Sequence, residues 1–573
     1  MNFTQLKKNI KKDFSAFKAT KIAILGDTPT QLLHIALRGY GFEAQLNFDI
    51  YEAGFQQAER EILDSASQLY HSKPDFAIIF FAAEELQKKF ARLPLSEKQH
   101  FAKNQLSYYE TLITAYSQYS GSSIIFLNFC MLPDGVYGNF ANKTPFSFSW
   151  QLRAINAGIM QLAQRHNNLF VVDTDALQTT FGFNNRLNQT VYVNTGIVTE
   201  PDFLVGLVKS ITQVIQAIQG RFNKCIIVDL DNTMWGGIIG DDGINNIQVG
   251  SFGIGKVFTD LQLWVKQLKE RGIIIAVCSK NDEAVVKEVF EQHPEMELRM
   301  DDIAIFAVNW DNKADNIRYI QKVLNIGFDS MVFVDDNPFE RNLVRRELPA
   351  VTVPELPEDP AGYLNYLQHL NLFETATFTA EDMKRNEQYK KEAERVRAKE
   401  IFTNEDDYLA SLNMKVKIGR FNSFNKPRIA QLSQRSNQFN LRTVRYNEKD
   451  VEHIAGSDNY MAFDFSLVDK FGDYGLISMV VLKKQQNVFF IENWLMSCRV
   501  LKRGMENFVL NSLVQQAIAQ GAIELVGEYL PTAKNGMVKN FYHSLGFKEM
   551  ADGKWQLNLD NFTPLKTFIN GSV

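Results

Sequence analysis

Asp229 and Asp231 stand two residues apart directly after the apolar run Cys225-Ile226-Ile227-Val228, a spacing that puts both carboxylates on one face of a strand end. A short apolar run ending in carboxylates is what a buried parallel strand delivers at its carboxyl edge, where open α/β sheets hold their ligands. Further runs of the same shape follow. Residues 273–278 lead into Ser279, Lys280 and Asn281; residues 303–308 precede Trp310, Asp311 and Lys313; Met331-Val332-Phe333-Val334 delivers Asp335, Asp336 and Asn337. Together they offer a nucleophile, a hydroxyl, a cation and an acidic pair, the parts of a phosphoryl-transfer site.

Such chemistry needs a metal ion to offset charge between the attacking carboxylate and the phosphate, donors for the equatorial oxygens, and a group that protonates the leaving oxygen. Asp229 would attack phosphorus to give an aspartyl-phosphate, and Asp231 would protonate the leaving group and then deprotonate the hydrolytic water. Ser279 and Lys313 would hold the phosphoryl oxygens, with Thr233 and Asn281 as further substrate contacts. Asp335, with the Asp229 side chain and the Asp231 backbone carbonyl, would bind Mg²⁺ through hard oxygen ligands, and Asp336 would stand behind them. Helix-capping carboxylates and a solvated Lys313 would explain any one segment, but not the ordered set.

These segments resemble the four motifs of the haloacid dehalogenase (HAD) superfamily of phosphatases, in their usual order. The glycines of Met234-Trp235-Gly236-Gly237-Ile238-Ile239-Gly240-Asp241-Asp242-Gly243 suit a β-hairpin flap after the nucleophile strand, and the stretch is similar to the FkbH-like subgroup. About fifty residues separate Asp229 from Ser279 and about thirty-four separate Ser279 from Lys313, so neither gap holds a cap domain beyond its crossover helix. An open site follows, able to admit a phosphorylated group on a large carrier.

The elements that must position these residues belong to a multidomain α/β chain of 573 residues. A net charge of −5 with acidic and basic residues balanced gives no nucleic-acid footprint and no polybasic membrane patch. No apolar stretch reaches the length of a membrane helix, and residues 1–17 are Lys-rich without a signal-peptide core, so a cytoplasmic protein is expected. Cys130, Cys225, Cys278 and Cys498 are scattered, arguing for reduced thiols rather than disulfides or zinc. The charge-dense stretch 380–400 reads as a solvated helix, and Pro-rich 353–360 as the start of a linker. The expected divisions are 1–220, 221–355, a linker at 356–378, and 379–573.

Residues 1–220 carry apolar runs at 21–25, 76–81, 124–127 and 169–172 with helical stretches between them. With Gly26-Asp27-Thr28 at a nucleophile turn, this part resembles a degenerate SGNH-hydrolase domain on a flavodoxin-like sheet. A working member needs oxyanion donors and a histidine base. Here Phe81-Ala82-Ala83-Glu84 stands where an asparagine is expected, and no histidine follows Asp173-Thr174-Asp175-Ala176. Esterase action through Thr28 and a binding or scaffolding role are the two readings.

The last part, ending in Asn540-Phe541-Tyr542-His543-Ser544-Leu545-Gly546-Phe547, resembles the GNAT type of acyltransferase, an α+β fold. In that family a glycine loop at a helix start meets the pyrophosphate of coenzyme A. The counterpart 499–506 has a single glycine, Gly504. This loop and the segments 434–441, 469–473 and 527–535 are again similar to FkbH-like proteins. Arg435, Asn437, Asn440, Arg499 and Asn535 are rich in donors, suiting either a pocket for phosphate or phosphopantetheine, or loop capping between domains.

The resemblance implies a fold of three domains: an SGNH-type sheet, a capless HAD-type Rossmann-like sheet and a GNAT-like domain. It implies acceptance of a phosphorylated three-carbon acid, 1,3-bisphosphoglycerate, its dephosphorylation, and loading of the glyceryl group onto an acyl carrier protein. Such loading calls for a thiol. Cys278, adjoining Ser279, should point into the sheet's packing layer; Cys498, beside Arg499 and a helix start, has the setting of a nucleophilic thiolate. The alternative is an assembly module that binds a carrier protein and a partner enzyme through a vestigial HAD site.

Overall fold

The computed structural model describes residues 1–572 except Glu400, Ile401, Thr403, Cys498, Arg499, Lys502 and Ala533, and gives the backbone alone for 380, 381, 393, 396–399 and 572. The chain forms two compact units, Met1–Ala217 and Ile218–Val573. Among the described residues no helix is long and apolar enough to cross a membrane.

The first unit is built on a parallel sheet in the order β2-β1-β3-β4-β5, from β1 (Ala19–Gly26), β2 (Asn47–Glu52), β3 (Phe76–Phe80), β4 (Ser123–Leu127) and β5 (Leu169–Val172). The inner strand β3 is buried along its length, which is why it reads as a continuous apolar run. β2 has no such run. It is an edge strand whose sequence Asn-Phe-Asp-Ile-Tyr-Glu keeps only Phe48 fully buried, so its pattern is too polar to announce it.

The second unit holds two sheets. One is parallel, in the order β8-β7-β6-β9, with β6 (Cys225–Val228), β7 (Ile274–Ser279), β8 (Ile305–Val308) and β9 (Met331–Val334). Register is fixed by pairs such as Val228 with Val277 and Val334. The residues after β6 and β9 therefore emerge side by side, and the Asp229 amide donates to Val334 O at 2.9 Å.

The other sheet is mixed and eight-stranded, in the order β15-β16-β14-β13-β12-β11-β10-β17. Its long central members are β11 (Tyr460–Asp469), β12 (Gly472–Gln485) and β13 (Val488–Met496), flanked by β10 (Lys415–Arg420), β14 (Glu524–Gly527), β15 (Lys548–Glu549), β16 (Trp555–Asn558) and β17 (Asn570–Ser572). β13 and β14 run parallel but pair only over 488–490 and 524–526. Beyond that point residues 439–441 fill the gap: Leu441 donates to Trp494 O, Met496 to Phe439 O, and Leu530 to Leu441 O.

Two expectations are corrected here. The segment 356–378 is not a free linker, because Leu356, Tyr363, Leu367 and Phe373 are buried in the apolar cluster that contains Val228 and Trp235. Likewise the helix Arg385–Lys399 is not a solvated rod. Tyr389 enters the core against Cys225 and Ile274, and the buried Asn386 accepts from the Ile275 amide and donates to Asp302 O. One of its charges is buried as well: Arg395 reaches Asp469 at 2.8 Å and also pairs with Glu392, which takes Arg503 at 2.6 Å. Charge density marked a solvated face in the sequence; paired charges and an amide that completes strand hydrogen bonds allow the same residues to be buried.

Candidate active site

The four motif segments end at one edge of the parallel sheet because their strands are parallel and in register. Asp229 follows β6, Ser279 closes β7, Lys313 opens the helix Lys313–Leu324 after β8, and Asp335 follows β9. Asn312 caps that helix by accepting from the Asp315 amide, which holds Lys313 at its first turn. All four side chains are buried, with Asp335 0 % exposed and Lys313 3 %.

The Lys313 ammonium lies 2.5 Å from Asp335 Oδ2 and 2.9 Å from Asp229 Oδ1. Burial works against its charge, but Asp229 and Asp335 outweigh burial and hold its pKa above the ordinary lysine value. Burial pushes the Asp335 carboxyl up to about 7, the Asp229 charge adds to the rise and Lys313 opposes it. Asp336 is also raised, by burial and then by Asp229.

Carboxylate oxygens of Asp229, Asp335 and Asp336 lie within 4.8 Å of one another. Asp229 Oδ1 is buried, and the group facing it is the Lys313 ammonium at 2.9 Å. Three carboxylates against one lysine are an excess of buried negative charge, and the donors are all hard oxygens, so the group fits a divalent ion such as Mg²⁺. Asp229 and Asp335 would hold it with Asp336 behind, and the ion would offset charge on a bound phosphoryl group.

Asp231 is placed by its neighbours. Its Oδ1 accepts from Trp235 Nε1 at 2.9 Å and from the Ile239 amide at 3.0 Å, and its Oδ2 accepts from Asn281 Nδ2 at 3.0 Å. Asn281 Nδ2 also reaches Ser279 Oγ at 3.1 Å. The loop after Asp231 turns at Asn232, whose φ of 52° is left-handed and whose side chain accepts from the Gly237 amide. It is not the expected hairpin flap. Gly236 makes a single bridge to Gln248, and Ile239–Asp242 is a short helix in which Asp242 accepts from the Ile238 amide. Trp235, fully buried against Phe290, pulls the segment inward where a flap would project.

Thr233 was expected to touch substrate. It is 0 % exposed, donates to Asp336 Oδ1 at 3.2 Å and accepts from the Asp336 amide, so it braces two loops from below. Two residues that motif spacing did not single out complete the set. One is Trp235, an apolar residue type in a glycine loop. The other is Arg341, which donates to the carbonyls of Asp335 and Asp336 while paired with Glu355 at 2.6 Å. Its only sequence signal is its place one to two helical turns after the acidic pair.

Among the described residues, the donor-rich side chains of the C-terminal part bond to backbone carbonyls of the chain itself. Arg435 pairs with Asp382 and donates to Thr377 O at 2.6 Å. Asn437 donates to Gly220 O and accepts from Arg445. The Asn535 amide donates to Asn440 O and Leu530 O, both at 2.9 Å, and is fully buried. Their hydrogen-bonding groups are taken up by loop and backbone atoms, the loop-capping alternative. Arg499 and Cys498 lie outside the described residues. Cys278 is buried, and burial raises its thiol pKa far above the usual range, which makes it a core residue.

At the carboxyl edge of the first unit, Thr28 Oγ1 donates to Gly196 O at 2.9 Å, and Asp173 accepts from Asn128 and from its own helix at Ala176. His34 pairs with Glu52. Arg186 is buried in an ion pair with Glu84.

Comparison with known proteins agrees with this geometry. Residues 21–216 match the model of the FkbH N-terminal domain. The chain is similar, at 48% identity and a TM-score of 0.64, to the N-terminal part of the protein BF1531 from Bacteroides fragilis, solved as containing a phosphatase domain complexed with Mg; the match covers 66% of this chain and 100% of that one. A weaker match, at 17% identity and a TM-score of 0.20, covers 26% of this chain and 99% of the ribosomal-protein-S18-alanine N-acetyltransferase from Escherichia coli. No curated protein matches the sequence. The chain belongs to the FkbH-like family of HAD-type phosphatases.

Proposed function

We propose that the chain is a Mg²⁺-dependent phosphohydrolase or acyl-phosphate transferase whose nucleophile is Asp229. One observation carries this reading: the buried Asp229 carboxylate, paired with Lys313 at 2.9 Å, has oxygens of Asp335 and Asp336 within 4.8 Å of its own, an acidic cluster at the carboxyl edge of the parallel sheet. Asp229 attacks phosphorus, Ser279 and Lys313 hold the phosphoryl oxygens, and Asp231 hands a proton to the leaving oxygen and takes one from water in the second half-reaction. Between β6 and β9 the described residues form the sheet's crossover helices and turns with no inserted domain, and Trp310 and Phe339, at 75% and 70% exposure, follow β8 and β9 in the chain. That openness supports a large or carrier-borne substrate.

The substrate we infer is an acyl phosphate such as 1,3-bisphosphoglycerate, and Asp229 removes the phosphoryl group of its phosphate ester. The Cys498 thiolate, the proposed relay, attacks the acyl carbon, and the bond from that carbon to the other phosphate breaks with release of phosphate. The glyceryl group, held as a thioester, passes to the thiol of an acyl carrier protein in the cytoplasm; Arg499 is a contact to the incoming group. The first unit acts as a binding or scaffolding domain, since its Thr28 hydroxyl serves a backbone carbonyl and Asp173 orients no histidine. The test has two readouts. Phosphate release from an acyl phosphate and an aryl phosphate should need Mg²⁺ and Asp229, and an Asp229→Asn variant as fast as wild type removes the enzyme reading. Intact-protein mass spectrometry of the carrier should then report a glyceryl adduct that Cys498→Ser abolishes while phosphate release persists.

A further inference from the structure

Asp231 is the centre of a small hydrogen-bond system whose members all donate to it. A carboxylate offers about four acceptor sites, two on each oxygen. Oδ1 takes the Trp235 indole N–H and the Ile239 amide, so its sites are filled. Oδ2 takes Asn281 alone and keeps one site open. The two oxygens are therefore not equivalent.

Trp235 reaches Oδ1 from inside the protein. Its ring is fully buried, set edge-on to Phe290 at 6.1 Å and 70°, in the same apolar cluster as Val228, Met234, Ile239 and Phe258. A buried indole N–H needs an acceptor, and the acceptor here is Asp231. The loop between them is closed by Asn232, so the indole cannot move away without opening the turn. Asn281 comes from the other side, at the end of β7, and its single amide nitrogen reaches both Asp231 Oδ2 and Ser279 Oγ. The proton-transfer group is thereby tied to a residue that would hold the phosphoryl oxygens.

Building on the phosphatase reading above, we propose that Trp235 and Asn281 are positioning residues that fix the Asp231 carboxyl with Oδ2 toward the leaving group, making Oδ2 the atom that passes the proton. In that step an Asp229 oxygen forms a bond to phosphorus, the bond from phosphorus to the leaving oxygen breaks with its electron pair going to that oxygen, and the proton on Asp231 Oδ2 moves to it. Asn281 acts through Asp231 and Ser279 rather than chiefly on the substrate.

The distinguishing readout is sensitivity to the leaving group. Proton donation matters more the poorer the leaving group, and general acid catalysis contributes roughly 10²–10⁴-fold. Across aryl phosphates from p-nitrophenyl to phenyl, Trp235→Phe, which keeps the ring and removes the donor, should lower kcat/KM for phenyl phosphate about tenfold more than for p-nitrophenyl phosphate. Because kcat/KM reports events up to departure of the leaving group, the later hydrolysis step does not mask the effect. An equal loss on both substrates, or none, overturns the proposal. Asn281→Ala reads the same carboxyl from its other oxygen and serves if Trp235→Phe does not fold. A crystal structure of either variant decides without turnover: Asp231 should rotate while Asp229, Lys313 and Asp335 stay in place, and an unmoved Asp231 contradicts the proposal. A wild type that hydrolyses no aryl phosphate would count against the phosphatase reading and leave the rotamer to judge Trp235.

Discussion

The two parallel sheets of this chain present polar residues at the same kind of edge and do opposite things with them. At the edge of the first unit the polar groups pair one to one: Thr28 with Gly196, Asp27 with the Ala82 amide, Asn128 with Asp173 and Thr174, and the Glu84 carboxylate with the Arg186 guanidinium. At the edge of the β6–β9 sheet, three carboxylates gather around one lysine, so negative charge is in excess. Paired charges let an edge be buried within its own fold. An edge with excess negative charge is costly to the protein alone, and a divalent cation would relieve that cost.

The sharpest way to break this contrast is to exchange the nucleophile candidates. Asp229→Asn should reduce phosphate release by at least about 10³-fold, whereas Thr28→Ala should leave both phosphate release and hydrolysis of aryl esters unchanged in the same assays. A large effect of Thr28→Ala on ester hydrolysis would put a working centre in the first unit.

Removing charge should separate the two edges in stability. Arg186→Met leaves Glu84 buried without its partner and should cost about 3–5 kcal/mol, read by denaturant unfolding of the first unit. Added Mg²⁺, by contrast, should stabilise the folded wild type by about 3 kcal/mol at about a hundredfold excess over Kd, read as a rise in melting temperature. Asp335→Asn should abolish that rise, and a rise that survives would place the ion elsewhere.

How much of this was visible in the chain follows from how each part is held. β6 and β9 were legible because a strand buried on both faces must be apolar throughout, and their carboxylates stand immediately after the run. Edge strand β2 carries no such constraint and was missed. That Asp229, Ser279, Lys313, Asp335 and Asp336 meet at one sheet edge was legible because each follows closely on its strand. Trp235 and Arg341 serve groups only a few residues off, but by residue types outside the motif set. Thr233 acts on Asp336, 103 residues away, and no local pattern marks such a pairing. The helix Arg385–Lys399 misled for the same reason: Arg395 meets Asp469 only once the chain has returned.

A smaller effect refines the comparison further. Burial pushes the Asp27 carboxyl up from 3.8 to about 6, against the Ala82 amide that favours its charged form. The folded state therefore holds this proton more tightly than the unfolded chain, and stability of the first unit should fall as pH rises from about 4 to about 6. Asp27→Asn should flatten that slope in denaturant titrations across the window, and an unchanged slope would assign it to another group.

The most direct measurement is the site of phosphorylation. After brief incubation with acetyl phosphate and Mg²⁺ followed by acid quench, peptide mass spectrometry should find a phosphoryl group on Asp229, absent from Asp229→Asn. A phosphoryl group on any other residue, or turnover with none on Asp229 even when the second step is slowed by Asp231→Asn, would contradict the account.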